Sequence, residues 1–302
     1  MMFHRGHNRK IENFSIDISS ILSVSLAWRG ALVVPLLFVA ALSHAQTPSP
    51  LQEWQYSRGV ALEQLFEPNV PDWKVFLGPA VEYHPLYDGA ALTRTQAGPL
   101  FDIRYKDLAF ASAGEGLGVN LIHDAHIRAG FALTYDLGRY VSADVSHLHG
   151  LGDIVHAPVF KGFMSYALSK EFPLVVRADV RQILGGADGL VGDLEAYMPL
   201  PGSSKRLFMF AGPSYTFADH RYFQKEFGIT AAQSIASGYP VYDVHAGSDA
   251  VGFGFSATGL ITEHWLLNLD TAVNHLLGSA AYSPITQRKT QHIYILSVVY
   301  HW

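Results

Sequence analysis

In the stretch LVVRADVRQIL, residues 174–184, Arg177, Asp179 and Arg181 fall at every second position, opposite Leu174, Val176 and Val180. On a β-strand this spacing puts the charges on one face and the aliphatic residues on the other. The next such stretch repeats the pattern, with Asp193 and Glu195 opposed to Leu190, Leu194 and Met198. If the two stretches are antiparallel neighbours, the five charges come within cross-strand reach of one another. Charges of both signs arranged in this way form a ladder that fills or wets an interior. Its other use is as a selectivity device for solutes.

Catalytic chemistry finds less support. Fifteen histidines invite a metal or protease site, and His147 with His149, or Asp219 beside His220, supply the residue types. The chain contains no His-Glu-x-x-His and no Gly-x-Ser-x-Gly arrangement, the spacings that put two ligands on one helix face or a serine on a sharp turn. The glycines of GLGVN and GFGFS lack the following helix that would turn its amides toward a phosphate. No catalytic residue, metal ligand or cofactor site is expected, and an enzyme is the minority reading.

Residues that alternate must sit on strands, and the composition agrees. The 302 residues are rich in aromatics (13%) and glycine (27 residues), sparse in charge (16%) and free of cysteine. This suits aromatic-rich β-structure and excludes disulfides and thiolate metal sites. A net charge of −5 without a lysine- or arginine-rich run gives nucleic acid no electrostatic footing.

Near the N-terminus, basic residues (Arg5, Arg9, Lys10, Arg29) precede the apolar stretch GALVVPLLFVAALSHAQ, which ends in the small-x-small pattern Ser43-His44-Ala45. This is read as a secretory signal peptide, residues 1–45, cleaved after Ala45. A membrane anchor is the weaker reading, because spanning takes about 20 apolar residues and Pro35 interrupts these. Cleavage removes four basic and two acidic residues, leaving 17 against 24 and an acidic exported protein.

Alternation then recurs along residues 72–302. Trp73, Val75, Leu77, Val81 and Tyr83 share one face, as do Ile127, Ala129, Phe131, Leu133 and Tyr135, and later Trp265, Leu267, Leu269 and Val273. Segments of about ten residues cross a bilayer as tilted strands, whereas the strands of a soluble sandwich run nearer five or six. Aromatics at segment ends fit membrane-interface girdles. The sequence predicts an all-β fold: a transmembrane antiparallel β-barrel of about 12 strands in the outer membrane of a Gram-negative cell. Candidate strands include two weak ones, 107–113 and 116–123, kept apart because bacterial single-chain barrels have even strand numbers. The long connections, 138–156, 218–249 and 277–290, then fall outside and the short ones in the periplasm. Whether 218–249 folds inward stays open. The last strand, QHIYILSVVYHW, places Val298, Tyr300 and Trp302 on its lipid face.

Several segments, in order, resemble the MipA/OmpV family: LGPAVEYHPLYDG, GPLFDIRYKDLAFASAGEGLGVNL, YDLGRY, LHGLGDI, EFGITAAQSIASGYPVYDVHAG and LLGSAAYSPI. Departures fall at His84-Pro85 and at Ala281-Tyr282. Val298, Tyr300 and Trp302 resemble the C-terminal signal that barrel assembly machinery recognises in such proteins. The resemblance implies a scaffold that holds a murein transglycosylase and a peptidoglycan synthase together. Contact with those periplasmic partners would use the short turns or residues 46–71, where Trp54, Leu62 and Phe66 are candidate anchors; that segment is equally readable as an unstructured lead-in or a plug. The alternative function is a porin-like channel for small solutes or a surface adhesin. Lipid of the outer membrane is a partner on either reading.

Overall fold

In a computed structural model, which describes residues 72–124, 126–204 and 206–302, twelve antiparallel strands close into a barrel. The signal peptide, its cleavage site and the anchors Trp54, Leu62 and Phe66 lie outside the described residues. The strands are β1 (Trp73–Pro85), β2 (Thr93–Tyr105), β3 (Ala109–Ser112), β4 (Gly116–His123), β5 (Ile127–Asp136), β6 (Ala157–Ala167), β7 (Val175–Ile183), β8 (Leu190–Pro199), β9 (Leu207–Ala218), β10 (Gly247–Leu260), β11 (Trp265–Leu276) and β12 (Thr290–His301). Each pairs with its sequence neighbours, and β12 closes on β1 through Leu77 opposite Tyr300 and Ala80 opposite Ser297. Closure leaves the sheet without a free end strand, which matters in lipid because no water is present to satisfy an unpaired backbone. Among the described residues no helix is long and apolar enough to cross a membrane.

The period-2 pattern becomes two faces. Leu77, Val81, Leu117, Phe131, Leu133, Leu269 and Leu296 point outward and are exposed, the inverse of a water-soluble fold and the arrangement that lipid rewards. Inward positions such as Asp102, Lys161, Asp193 and Asp270 are buried. Aromatic rings gather at the two rims. At the end with short turns Trp73 packs on Tyr105 (centroids 4.7 Å apart), Trp265 on Tyr300 (5.2 Å) and Tyr300 on Trp302 (4.7 Å). At the other end Tyr83 meets Tyr294 at 6.0 Å. Val298, Tyr300 and Trp302 share the lipid side of β12, and the Trp302 amide donates to the Val75 carbonyl.

The weak strand pair is present but shorter than its sequence suggests. β3 has four residues, all paired with both neighbours. A tight turn at Lys106 and Asp107, both with positive φ (49° and 53°), delivers it, and the Leu108 amide donates to the Tyr105 carbonyl across that turn.

The long connections carry short helices: α1 (Val145–Leu148), α2 (His220–Glu226), α3 (Ala231–Ser237) and α4 (Gly278–Tyr282). Asp219 caps α2 by accepting from the Tyr222 amide. Thr230 and Gln233 form a reciprocal box at the start of α3, which ends on left-handed Gly238. These loops fold together across and into the barrel mouth. Phe223, Phe227, Ile229, Leu148 and Ile285 share one apolar core with Val159, Ile183, Val191, Ala218, Ala250 and Leu276, the inward residues near the upper ends of six strands. Each fully buried large side chain contributes about 2 kcal/mol by leaving water, so the cap is a folded unit continuous with the barrel.

Candidate functional site

The lumen below the cap is charged. On β7 and β8 Arg177 lies opposite Glu195, and Asp179 opposite Asp193. The closest ion pair within this group is diagonal, with Arg181 Nη2 2.5 Å from Asp193 Oδ2. Arg181 Nε also stands 3.6 Å from Asp179, and Arg177 Nε 3.8 Å from the same carboxylate. The Thr216 hydroxyl on β9 donates to the other oxygen of Asp193 at 2.6 Å. All five charges that the alternation of β7 and β8 singled out are therefore buried on one inner face.

Three further residues extend the network, and the sequence reading missed them. Glu115, in the β3–β4 turn, stands 2.6 Å from Arg104 Nη2 and 3.3 Å from Arg177 Nη1. Arg104 in turn holds Asp102 of its own strand at 2.9 Å. A chain of alternating charge thus runs from β2 through the hairpin tip to β7, β8 and β9. Asp102 and Arg104 do alternate on β2, a signal that was available. Glu115 sits in a turn, where no periodicity assigns a side, and only the folded hairpin aims it inward. A second pair, Arg128 with Asp107 at 2.8 Å, ties β5 to the β2–β3 turn.

This arrangement can brace the wall and exclude free charge, because each ion already faces its counter-ion; a buried pair of this kind is costly to break on one side only. Among the described residues no group of three or more histidines and carboxylates is placed to hold a metal ion. His147 faces the Asp144 carboxylate at 2.9 Å, a loop contact away from the lumen.

The cap is stitched by side chains from the β1–β2, β5–β6, β9–β10 and β11–β12 loops. Tyr87, between β1 and β2, donates to Asp144 at 3.2 Å and accepts from Gln287 at 2.6 Å. Gln233 donates to the Leu151 carbonyl at 2.6 Å, and Ser283 to the Phe227 carbonyl at 2.6 Å. On its outer side a cleft of about 500 Å³ opens between the β9–β10 and β11–β12 loops, lined by Tyr242, His245, Ser279 and Tyr282 among others.

No curated protein matches the sequence. Among solved structures the barrel is similar to the outer-membrane expressed OmpT of Vibrio cholerae, with 9% identity over 78% of this chain and 99% of that one and a TM-score of 0.38. It is also similar to an outer membrane channel from Pseudomonas putida F1 (9% identity, 78% of this chain and 97% of that one, TM-score 0.39). A third likeness is to the outer membrane protein OprD from Pseudomonas aeruginosa (10% identity, 76% and 59%, TM-score 0.34). No functional statement follows from likenesses at this level. The family model described as MltA-interacting protein MipA matches residues 77–302. With that match running from within β1 to the end of the chain, the chain belongs to the MipA family of outer-membrane β-barrel proteins.

Proposed function

We propose that this chain is a non-enzymatic scaffold of the outer membrane, exported by a signal peptide cleaved after Ala45. In this reading it brings a murein transglycosylase and a peptidoglycan synthase together at the inner face of that membrane. The family description, an interacting protein, supports the role. The single structural observation that carries it is the cap: loop residues Phe223, Phe227, Ile229 and Ile285 share a core with the strands that form the mouth. A barrel closed in this way works through its exposed surfaces. Partners on the periplasmic side would meet the short turns, such as 168–174 and 200–204, or the segment 46–71 with Trp54, Leu62 and Phe66.

The porin-like alternative rests on the buried charges around Arg177 and Glu195. Two measurements separate the readings. The mature protein in a planar bilayer should pass no steady current, and it should co-purify with a soluble murein transglycosylase in a manner weakened by deleting 46–71 or altering the turns. Steady conductance that changes on neutralising Arg177 or Glu195, with no transglycosylase retained, would overturn the scaffold in favour of a channel.

A further inference from the structure

Charge is distributed unevenly among the connections at the long-loop end. In a chain with a net charge of −5, an acidic residue stands in the β1–β2 connection (Asp88), in the β3–β4 turn (Glu115) and in the β5–β6, β7–β8 and β9–β10 connections (Asp144, Asp188 and Asp219). The β11–β12 connection, residues 277–289, has none and ends in Arg288-Lys289. β12 then runs to its end without an acidic residue, and the single one on β11, Asp270, is buried on the inner face.

Two histidines extend this basic strip down the lipid side. The lipid face of β11, with Leu267, Leu269 and Val273, continues to His275, and that of β12 begins at Thr290 and His292. His275 lies opposite Thr290, and Val273 opposite His292, so the two histidines are diagonal neighbours. His275 Nδ1 and the Thr290 hydroxyl share a hydrogen bond at 2.8 Å, which holds that ring and leaves its Nε2 for a ligand. The His292 ring stacks on Tyr294, with centroids 6.4 Å apart and an interplanar angle of 7°.

Above the histidines Gln287 turns inward and donates to the Tyr87 hydroxyl, while Arg288 and Lys289 are exposed. Lys289 Nζ stands 3.9 Å from the centroid of the Tyr282 ring, which is itself 73% exposed. An ammonium over an aromatic face is positioned without being neutralised. Among the described residues Arg288, Lys289, His275 and His292 form no ion pair with a carboxylate.

Register sets the height of the strip. Tyr294 pairs with Tyr83 in the aromatic rim at the long-loop end. The four residues from His292 up to Arg288 rise about 10 Å on a strand tilted by roughly 40°. The strip therefore starts at the edge of the apolar layer and spans the headgroup zone above it. Long loops of outer-membrane barrels are extracellular, so the zone belongs to the outer leaflet. A guanidinium fork, an ammonium, imidazole N–H groups and a hydroxyl offer many donors to one anion. A phosphate monoester matches them, with three terminal oxygens and a charge of about −1.5 to −2 at pH 7, more than a phosphate diester presents.

We propose that this strip is a lipid-phosphate site. The monoester phosphate of an outer-leaflet lipid is held by Arg288 and Lys289 from above and by His275 and His292 from the barrel wall, with the acyl chains against Val273, Leu269 and Leu296 below. A soluble phosphomonoester carries the same oxygens. Lipid is favoured because the strip runs without a break into the exposed apolar face of β11 and β12.

Lipid retention in native mass spectrometry tests the site. In detergent micelles with equal amounts of dioleoylphosphatidic acid, a monoester, and dioleoylphosphatidylglycerol, a diester, the mature protein should keep phosphatidic acid as its main adduct. Arg288→Gln combined with Lys289→Gln should reduce that adduct roughly five-fold. Lys170→Gln combined with Arg206→Gln, the same charge change at exposed positions of the short-turn rim, should leave it unchanged. Equal retention of the two lipids, or a loss in the Arg288 and Lys289 variant no greater than in this control, overturns the proposal. Displacement of phosphatidic acid by an equal concentration of glycerol 3-phosphate also overturns it, by making a soluble phosphate the ligand. Heat-modifiable gel mobility checks folding, and His292→Ala, with a loss expected in the same direction, takes the place of the double variant if that variant fails to fold.

Discussion

Arg139 reaches from the β5–β6 loop to the last turn of α2, where its Nη1 donates to the backbone oxygen of Glu226 while that residue's carboxylate stands 3.9 Å away. The guanidinium thus caps a helix C-terminus in a different loop. Burial pushes the Glu226 carboxyl up to about 7 from 4.5, and the nearby Asp136 and Asp88 add to the shift against the opposing pull of Arg139. An acid whose pKa is higher in the folded state binds its proton more tightly there. Its contribution therefore favours the cap at low pH and is lost as pH rises from about 4.5 through about 7, with an upper bound of about 3 kcal/mol. Protease cleavage of the outer loops should be slow at pH 5 and faster at pH 8. Glu226→Gln should flatten that dependence at the slow limit, and an unchanged pH profile in the variant would refute the assignment.

Glu115 links Arg104 and Arg177, so removing it strands positive charge inside the barrel. Glu115→Ala should lower unfolding stability in urea by about 3 kcal/mol, the scale set by breaking one side of a buried ion network. A loss below 1 kcal/mol would mean that the remaining carboxylates take over both guanidinium groups.

Gly150 has a φ of 77°, and a Cβ there would lie 2.5 Å from the Ala236 carbonyl carbon in the β9–β10 loop. Neither the backbone angle nor the space admits a side chain. Gly150→Val should separate the two loops and raise their protease sensitivity roughly ten-fold, leaving the barrel's heat-modifiable mobility intact. If barrel folding fails instead, the cap and the barrel form together.

Leu269 lies near mid-strand on the lipid face of β11 and is 40% exposed. Leu269→Arg should cost about 2–4 kcal/mol in vesicle-refolded protein, the price near the bilayer centre. Reconstitution into vesicles, followed by urea titration against wild type, reads the difference. A neutral result would place β11 outside the apolar layer.

The sequence by itself determined the barrel, because the side of a strand residue depends only on its parity. Trp73 to Tyr83, Ile127 to Tyr135 and Trp265 to Val273 declare their lipid faces without reference to anything distant, and Arg177, Asp179, Arg181, Asp193 and Glu195 declare an inner one. The strand count followed from the same alternation together with the requirement for even closure, and ordered segments pointed to the family. Tertiary structure decided what parity does not encode. Glu115 joined the lumen network because a turn of the chain aimed it there. The cap formed because residues as far apart as Tyr87 and Gln287 meet, a contact that no local period foreshadows. β3 is only four residues long, because strand length is set by pairing across the sheet, where the register of β2 and β4 counts for as much as the residues of the hairpin itself.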